Sequence, residues 1–128
     1  MDKEWEDVRK FQEFVKQPVR DTPHILSYDR VKIRYKWLLE EINEFLEAEN
    51  DIVEQADAMI DVIYFALGAL VEMGIKPDSL FQIVHQANMS KIWADGEIHY
   101  DSDGKVQKPD SWTDPYKKLE QAINTNYR

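Results

Sequence analysis

The segment that most constrains the fold is Ile52–Met73, whose side chains are apolar around nearly the whole helical circumference. Gly74 follows at the position where glycine commonly ends a helix. A helix that is apolar all round is normally central and buried. Asp57 and Asp61 nevertheless lie inside this segment. Burying a carboxylate costs on the order of several kcal/mol unless a cation, a metal or a proton accompanies it.

Three other segments show helical periodicity. The spacing of apolar residues predicts helices over about 3–16, 29–49 and 78–93, with Asp29 as the cap of the second. Short loops between long helices imply antiparallel neighbours. We therefore expect an all-α fold, an antiparallel four-helix bundle, formed by one domain over residues 1–128.

The C-terminal part has a different, more polar composition. Two Asp-Gly pairs occur, at Asp95-Gly96 and Asp103-Gly104. The second pair predicts a small hairpin over 98–105, with its turn at 101–104. Asp114 followed by proline predicts the start of a short terminal helix.

Composition narrows the class of protein. The formal net charge is -9, which argues against binding a nucleic acid polymer but not against a nucleotide accompanied by divalent cations. There are no cysteines, which excludes thiolate catalysis and disulfides. The longest apolar run, Val62–Val71, is far shorter than the roughly 20 residues of a membrane span. We expect a cytoplasmic protein without membrane contact, and a homodimer or homotetramer because the core is modest.

Carboxylates are concentrated on two successive predicted helices. At 100° per residue, those of the second helix fall within about 100° of each other and those of the third within about 60°. The two sets are Glu40, Glu41 and Glu44, and Glu54, Asp57 and Asp61. A break near Asn50 lets Glu44 face Asp57 and Glu41 approach Asp61. Such crowding requires cations or protons, and oxygen-only ligands suit Mg²⁺ or Mn²⁺.

The acidic residues also fit other interpretations. An acidic face opposite an apolar stripe is usually solvated, so a non-enzymatic helical module that binds a basic partner is one alternative. A di-iron bundle needs Glu-x-x-His pairs, which His24, His85 and His99 do not provide. A calcium loop starting at Asp101 fails because Lys105 stands where an oxygen ligand is needed.

At these residues the chain resembles the all-α NTP pyrophosphatase superfamily, which includes MazG proteins, dimeric dUTPases and phosphoribosyl-ATP pyrophosphatase. The shared pattern is Glu40-Glu41-x-x-Glu44 followed by Glu54-x-x-Asp57 and the apolar stretch 58–64 around Asp61. A second block, with Asn-Met-Ser-Lys at 88–91 and Asp-Gly-Lys-Val at 103–106, is similar to a phosphoribosyl-ATP-pyrophosphatase-like subgroup of phages and bacteria.

The resemblance implies Mg²⁺-dependent hydrolysis of a nucleoside triphosphate between the α and β phosphates. Glu41, Glu44, Glu54 and Asp57 are then expected to bind the metal. Asp61 is either a further ligand or a support for the ligands. Glu40 is the candidate for positioning or deprotonating water, so the predicted catalytic set is Glu40, Glu41 and Glu44. A phosphohydrolase acting on a phosphoribosyl nucleotide, such as phosphoribosyl-ATP, is the second enzymatic alternative.

A substrate-binding set is predicted from the second block. Lys91, Lys105 and Lys108 are cations that could contact phosphate oxygens. Asn88 offers a donor and an acceptor to a base or sugar, and Asp95 completes the set in this block. Tyr64 could stack on a base, although an aromatic at helical spacing also suits core packing.

Overall fold

The computed structural model describes residues 1–126, apart from the side chain of Asn126. Its helices are α1 (Asp2–Phe14), α2 (Tyr28–Glu47), α3 (Ile52–Met73), α4 (Asp78–Met89) and α5 (Tyr116–Asn126), and its strands are β1 (His99–Tyr100) and β2 (Val106–Gln107). The all-α class is confirmed. The chain divides into two compact units, Met1–Pro77 and the residues from Asp78 onward, and each is described by itself.

In the first unit, α3 packs against both α1 and α2. The buried core lies between α1 and the C-terminal half of α3, and it consists of Trp5, Val8, Leu67 and Val71. These residues follow helical spacing on each helix, so one face of α1 meets one face of α3.

The ends of α2 differ from the prediction. Ser27, not Asp29, caps the helix, since its hydroxyl accepts a hydrogen bond from the backbone N–H of Arg30 at 3.3 Å. The helix ends at Glu47, two residues early, and Glu49 takes a left-handed φ of 51°. Serine at this position supplies the acceptor that an N-terminal turn needs.

The bounds of α3 are as predicted. Asp51 caps it by accepting from the backbone N–H groups of Val53 and Glu54, at 3.0 and 3.2 Å. Gly74 ends it with φ 72°, a conformation that glycine adopts without a steric penalty.

Two other predicted helices are shorter than expected at their C-terminal ends. α1 stops at Phe14, and Lys16 takes a left-handed φ of 63°. α4 stops at Met89 rather than 93, because the Ser90 hydroxyl donates to the Ala87 carbonyl at 2.7 Å. Such local hydrogen bonds compete with helix continuation.

The second unit contains the hairpin and two helices. β1 and β2 pair antiparallel, with His99 opposite Gln107, which confirms a hairpin here, although its second strand lies beyond the predicted end at residue 105. The Asp101 carboxylate organises its turn by accepting from the backbone N–H groups of Asp103 and Lys105, both at 2.9 Å. α4 packs against α5, whose start is capped by Asp114 through the N–H of Tyr116.

The expectation that α3 is buried throughout is wrong. Ile60 and Ile63 are 60% and 47% exposed, and α2 exposes Phe45 and Leu46 in the same way. Within this unit α3 packs mainly against α1 and α2, so part of its circumference is not covered by the other helices of the unit.

Within residues 1–126, no single helix has the length and apolarity to cross a membrane. By length and composition alone, α3 and α4 taken together as a bent pair reach them.

Candidate active site

A stripe of α2 side chains faces α3 along its length. Its positions follow the 4-3-4-3 spacing that keeps residues on one helical face. They are Arg30, Arg34, Trp37, Glu41 and Glu44. Arg34 meets Glu72 of α3, Trp37 meets Phe65, and Glu41 meets Asp61, as expected for an antiparallel pair. The chemistry of this interface therefore changes from cationic through aromatic to acidic.

The acidic end brings three carboxylates together. One oxygen from each of Glu41, Glu44 and Asp61 lies within 4.8 Å of the others. None of the ion pairs found in residues 1–126 involves any of the three. Oxygen atoms at this separation on two rigid helices can ligate a divalent cation.

A second carboxylate cluster adjoins the first through Glu44. This side chain also lines a cavity of about 380 Å³ together with Glu47, Glu54 and Asp57. The predicted approach of Glu44 to Asp57 and of Glu41 to Asp61 is thus what the fold produces. All five predicted metal-binding residues border these two adjoining clusters, although their roles as ligands stay predictions.

The protonation of Glu41 reflects this crowding. Burial, together with Glu44 and then Asp61, raises the pKa of Glu41 to about 7. Its Oε2 atom is buried and has no hydrogen-bond partner. A buried acceptor of this kind loses the full energy of its hydration unless a proton or cation reaches it.

The cationic end of the interface is fully paired. The Glu72 carboxylate is 2% exposed and accepts from Arg30 at 2.5 and 3.1 Å and from Arg34 at 2.8 Å. Arg34 also donates to Gln12 of α1, so the network joins three helices. Burial acts to raise the pKa of Glu72, but the two arginines outweigh it and lower the pKa.

Gly68 allows this network to form against α3. A Cβ atom at this position would lie 2.7 Å from Nη1 of Arg34 and would also overlap the side-chain oxygen of Gln12. The glycine therefore leaves the space in which both polar side chains cross the helix.

An aromatic cavity of about 470 Å³ lies between the two ends of the interface. Two ring pairs line it: Phe11 with Tyr64, at a centroid distance of 5.9 Å, and Trp37 with Phe65, also at 5.9 Å. Glu40 borders the same cavity. Trp37 and Phe65 each lie four residues from a carboxylate of the trio, so the cavity begins one helical turn from the acids.

The other predicted substrate contacts lie in the second unit. Lys91 donates to the Asn88 side chain at 2.8 Å, and Lys108 lies 4.2 Å from the Trp112 ring. Asp95 contacts His99 at 2.8 Å. Lys105 is exposed at the hairpin turn. Their part in substrate binding stays a prediction.

The Asp95 carboxylate is tied to its own loop. The backbone N–H of Glu97 and the ring of His99 lower its pKa. His99 in turn stacks on Trp93, with ring centroids 4.4 Å apart. The contacts within the loop are thus sufficient to explain the shifted pKa.

Sequence reasoning missed several residues at the site. Glu47 was not included, although it lies three residues after Glu44 on the same face and could have been found by spacing. Phe11 and Phe65 lie at helical spacing among apolar residues, which indicates packing and does not by itself indicate a site. Arg34 gave no signal at all, because a single arginine on a helix is usually a surface residue.

Three packed helices with clustered carboxylates on two of them define the molecule as an all-α protein with an acidic candidate site. Comparison with known proteins agrees: the phosphoribosyl-ATP pyrophosphohydrolase family matches residues 8–88, which is more than half of the chain. The chain belongs to this family and is a nucleotide pyrophosphohydrolase. This sets aside the alternative of a non-enzymatic acidic module.

Solved structures support the same assignment. The chain is similar to the crystal structure of a candidate NTP pyrophosphohydrolase from Exiguobacterium sp. 255-15, with 29% identity and a TM-score of 0.55. The match covers 96% of this chain and 95% of that one. No curated protein matches the chain.

Proposed function

We propose that this protein hydrolyses a nucleoside triphosphate between the α and β phosphates, with Mg²⁺ or Mn²⁺ held by its clustered carboxylates. The observation that carries the proposal is the trio of Glu41, Glu44 and Asp61, whose oxygens lie within 4.8 Å of one another. Within residues 1–126, no lysine or arginine neutralises them through an ion pair. A bound divalent cation supplies the missing positive charge.

The donor set fits a hard cation. All the surrounding ligand atoms are carboxylate oxygens, which Mg²⁺ and Mn²⁺ prefer. The unpartnered Oε2 of Glu41 is a buried acceptor that a cation would satisfy. Glu41, Glu44 and Asp61 would hold one ion, and Glu54 and Asp57 would extend the site on the far side of Glu44.

The chemistry divides between the ion and the side chains. When bound, the cation offsets phosphate charge and the negative charge that develops on the leaving pyrophosphate. Glu40 is exposed at the edge of the aromatic cavity and has no ion-pair partner among the described residues. It is therefore free to accept a proton from an attacking water. Asp61 is assigned here as a ligand.

The aromatic cavity gives a place for the base. Four aromatic side chains line it, Phe11, Trp37, Tyr64 and Phe65, and a planar heterocycle can pack against such rings. The cavity lies one turn from the carboxylates, so a base there leaves the phosphates near the acids. Its volume is within the usual range for small-ligand sites.

Phosphoribosyl-ATP is the second candidate substrate. The description of the matching family favours it. Its hydrolysis breaks the same type of bond and uses the same carboxylates. Product analysis separates the two, because each substrate gives a distinct monophosphate.

The test is a pyrophosphate-release screen of canonical and modified nucleotides, and of phosphoribosyl-ATP, with and without Mg²⁺. We expect Glu44→Ala and Asp57→Ala each to reduce release about 100- to 1,000-fold while the circular dichroism spectrum stays unchanged, since removal of an electrostatic group at the reacting centre has effects of this size. Glu49→Gln, an exposed acid outside the clusters, serves as the matched control and should keep full activity. Full activity in both alanine variants would refute the assignment of the site.

We also propose that the protein is a homodimer. Exposed apolar side chains are numerous on α2 and α3. They include Ile42, Phe45 and Leu46 on α2 and Ile52, Val53, Ile60 and Ile63 on α3. Apolar surface on this scale is typical of an interface.

Analytical ultracentrifugation tests this proposal. At micromolar concentration we expect a dimer, and Ile60→Glu should shift it toward the monomer because it places a charge in the apolar surface. Lys76→Glu, an exposed change outside this surface, is the control. A monomeric wild-type protein would rule the dimer out.

A further inference from the structure

A separate cavity of about 290 Å³ lies within the second unit. The C-terminal end of α4 contributes Gln86, and Ser90 follows directly after the helix. The opposite side consists of Ser111 and Thr113, from the segment before α5, and Lys118, from its first turn. No lining residue of this cavity is a carboxylate, although acids outnumber bases in the chain by nine.

The segment that carries the two hydroxyls is held in place by its own contacts. The indole N–H of Trp112, between Ser111 and Thr113, donates to the Ala87 carbonyl at 2.7 Å. The Trp112 backbone N–H donates to Pro109 at 2.9 Å. The hydroxyls therefore border the cavity before any ligand arrives, which lowers the entropic cost of binding.

An acid next to the cavity in the sequence is engaged by the backbone. Asp114 follows Thr113, but its carboxylate accepts from the N–H of Tyr116 at 2.9 Å and is not among the lining residues. Lys118 forms no ion pair within residues 1–126 and is exposed. Among the lining residues that the structure describes, Lys118 is thus the only one with a formal charge.

The charge of the chain is distributed unevenly between the units. Residues 1–77 carry 17 acidic and 10 basic residues, a net charge of -7, whereas residues 78–128 carry 8 and 6, a net charge of -2. An anion therefore meets much weaker repulsion from the second unit's own charge than from that of the first.

The lining groups select the ligand class. A lysine ammonium, two serine or threonine hydroxyls and a carboxamide N–H can all donate to oxygen, and charged acceptors form the strongest such bonds. Ser90 already donates its proton to Ala87, so it offers lone pairs to a ligand hydroxyl. We propose that this cavity binds the phosphate group of a small phosphorylated ligand, at a site that shares no residue with the carboxylate clusters.

The experiment is a titration of the full-length, ¹⁵N-labelled protein with inorganic phosphate, followed by amide chemical shifts. EDTA is present and ionic strength is constant, so that the carboxylate clusters hold no cation that could attract phosphate. We expect saturable shifts at Ser111, Thr113 and Lys118. Lys118→Ala should raise the Kd for phosphate about tenfold, the loss expected for one charged hydrogen bond. Lys117→Ala, the adjacent exposed lysine that does not border the cavity, should change it less than about twofold.

Three outcomes would overturn the proposal. The first is the absence of saturable shifts at these residues. The second is an equal loss in Lys117→Ala and Lys118→Ala, which would indicate general attraction to lysines. The third is binding of glycerol to the same residues with the affinity of phosphate, which would indicate a cavity for neutral polyols. Ser111→Ala provides a second variant, and we expect it to weaken phosphate binding while the melting temperature stays unchanged.

Discussion

At the two ends of the α2–α3 interface, carboxylates have opposite electrostatic surroundings. At one end Glu72 is almost wholly buried and held by Arg30 and Arg34. At the other, Glu41 and Asp61 approach each other beside Glu44, and none of the three has an ion pair with a lysine or arginine of residues 1–126. All of these acids are carboxylates, and each lies on α2 or α3. What distinguishes a structural anchor from a candidate catalytic site is therefore the charge of the partners that α2 presents.

The pKa shifts express the same contrast. The arginines lower the pKa of Glu72, whereas burial and neighbouring acids raise that of Glu41 to about 7. The lowered pKa means that Glu72 stabilises the fold above its unfolded-state pKa and loses this contribution as the pH falls. The raised pKa has the opposite effect: stability is present at low pH and is lost as the pH rises through about 7.

The largest expected effect comes from breaking the paired end. Glu72→Ala removes one partner of a buried network and leaves two arginines without their counter-ion. Such changes typically cost about 3–5 kcal/mol. Urea unfolding measures the loss, with Glu13→Ala, whose acid forms an exposed pair with Arg9, as the control at less than about 1 kcal/mol. A loss as small as that of the control would show that the network does not anchor the helices.

The second-largest effect is expected when Mg²⁺ is added, because it supplies a cation at the acidic end of the interface. Mg²⁺ at 100 times its Kd should stabilise the protein by about 2.7 kcal/mol, because only the folded state assembles the trio. Thermal unfolding with increasing Mg²⁺ measures this. Asp61→Asn should abolish the response and Glu49→Gln should preserve it. If Asp61→Asn responds like the wild type, the acidic end is not the metal site.

The smallest effect is expected when one negative charge is removed from the acidic end of the interface. In EDTA at pH 7.5, Glu41→Gln should raise the melting temperature by roughly 2–4 °C, since an amide keeps the shape without the repulsion. The gain should disappear near pH 5, where the folded wild-type protein already carries a proton on Glu41. A melting temperature that falls at pH 7.5 would contradict the raised pKa.

The sequence predicted much of the first unit. The bounds of α3 followed from apolar periodicity between an aspartate cap and a terminal glycine. The approach of Glu44 to Asp57 and of Glu41 to Asp61 followed from helical spacing and a short break. The prediction failed at Asp29, because Ser27 offered a better local acceptor, and at the end of α4, because Ser90 bonds back to Ala87.

By itself, then, the sequence determined which residues form helices and which acids share a face, since both depend on contacts between near neighbours. Only the tertiary structure decided that Arg30 and Arg34 reach Glu72, 42 and 38 residues away. It also decided that Phe11 and the α3 rings line one cavity and that α3 keeps exposed apolar side chains such as Ile60 and Ile63. These features depend on the register and packing of whole helices, which periodicity along one helix does not specify.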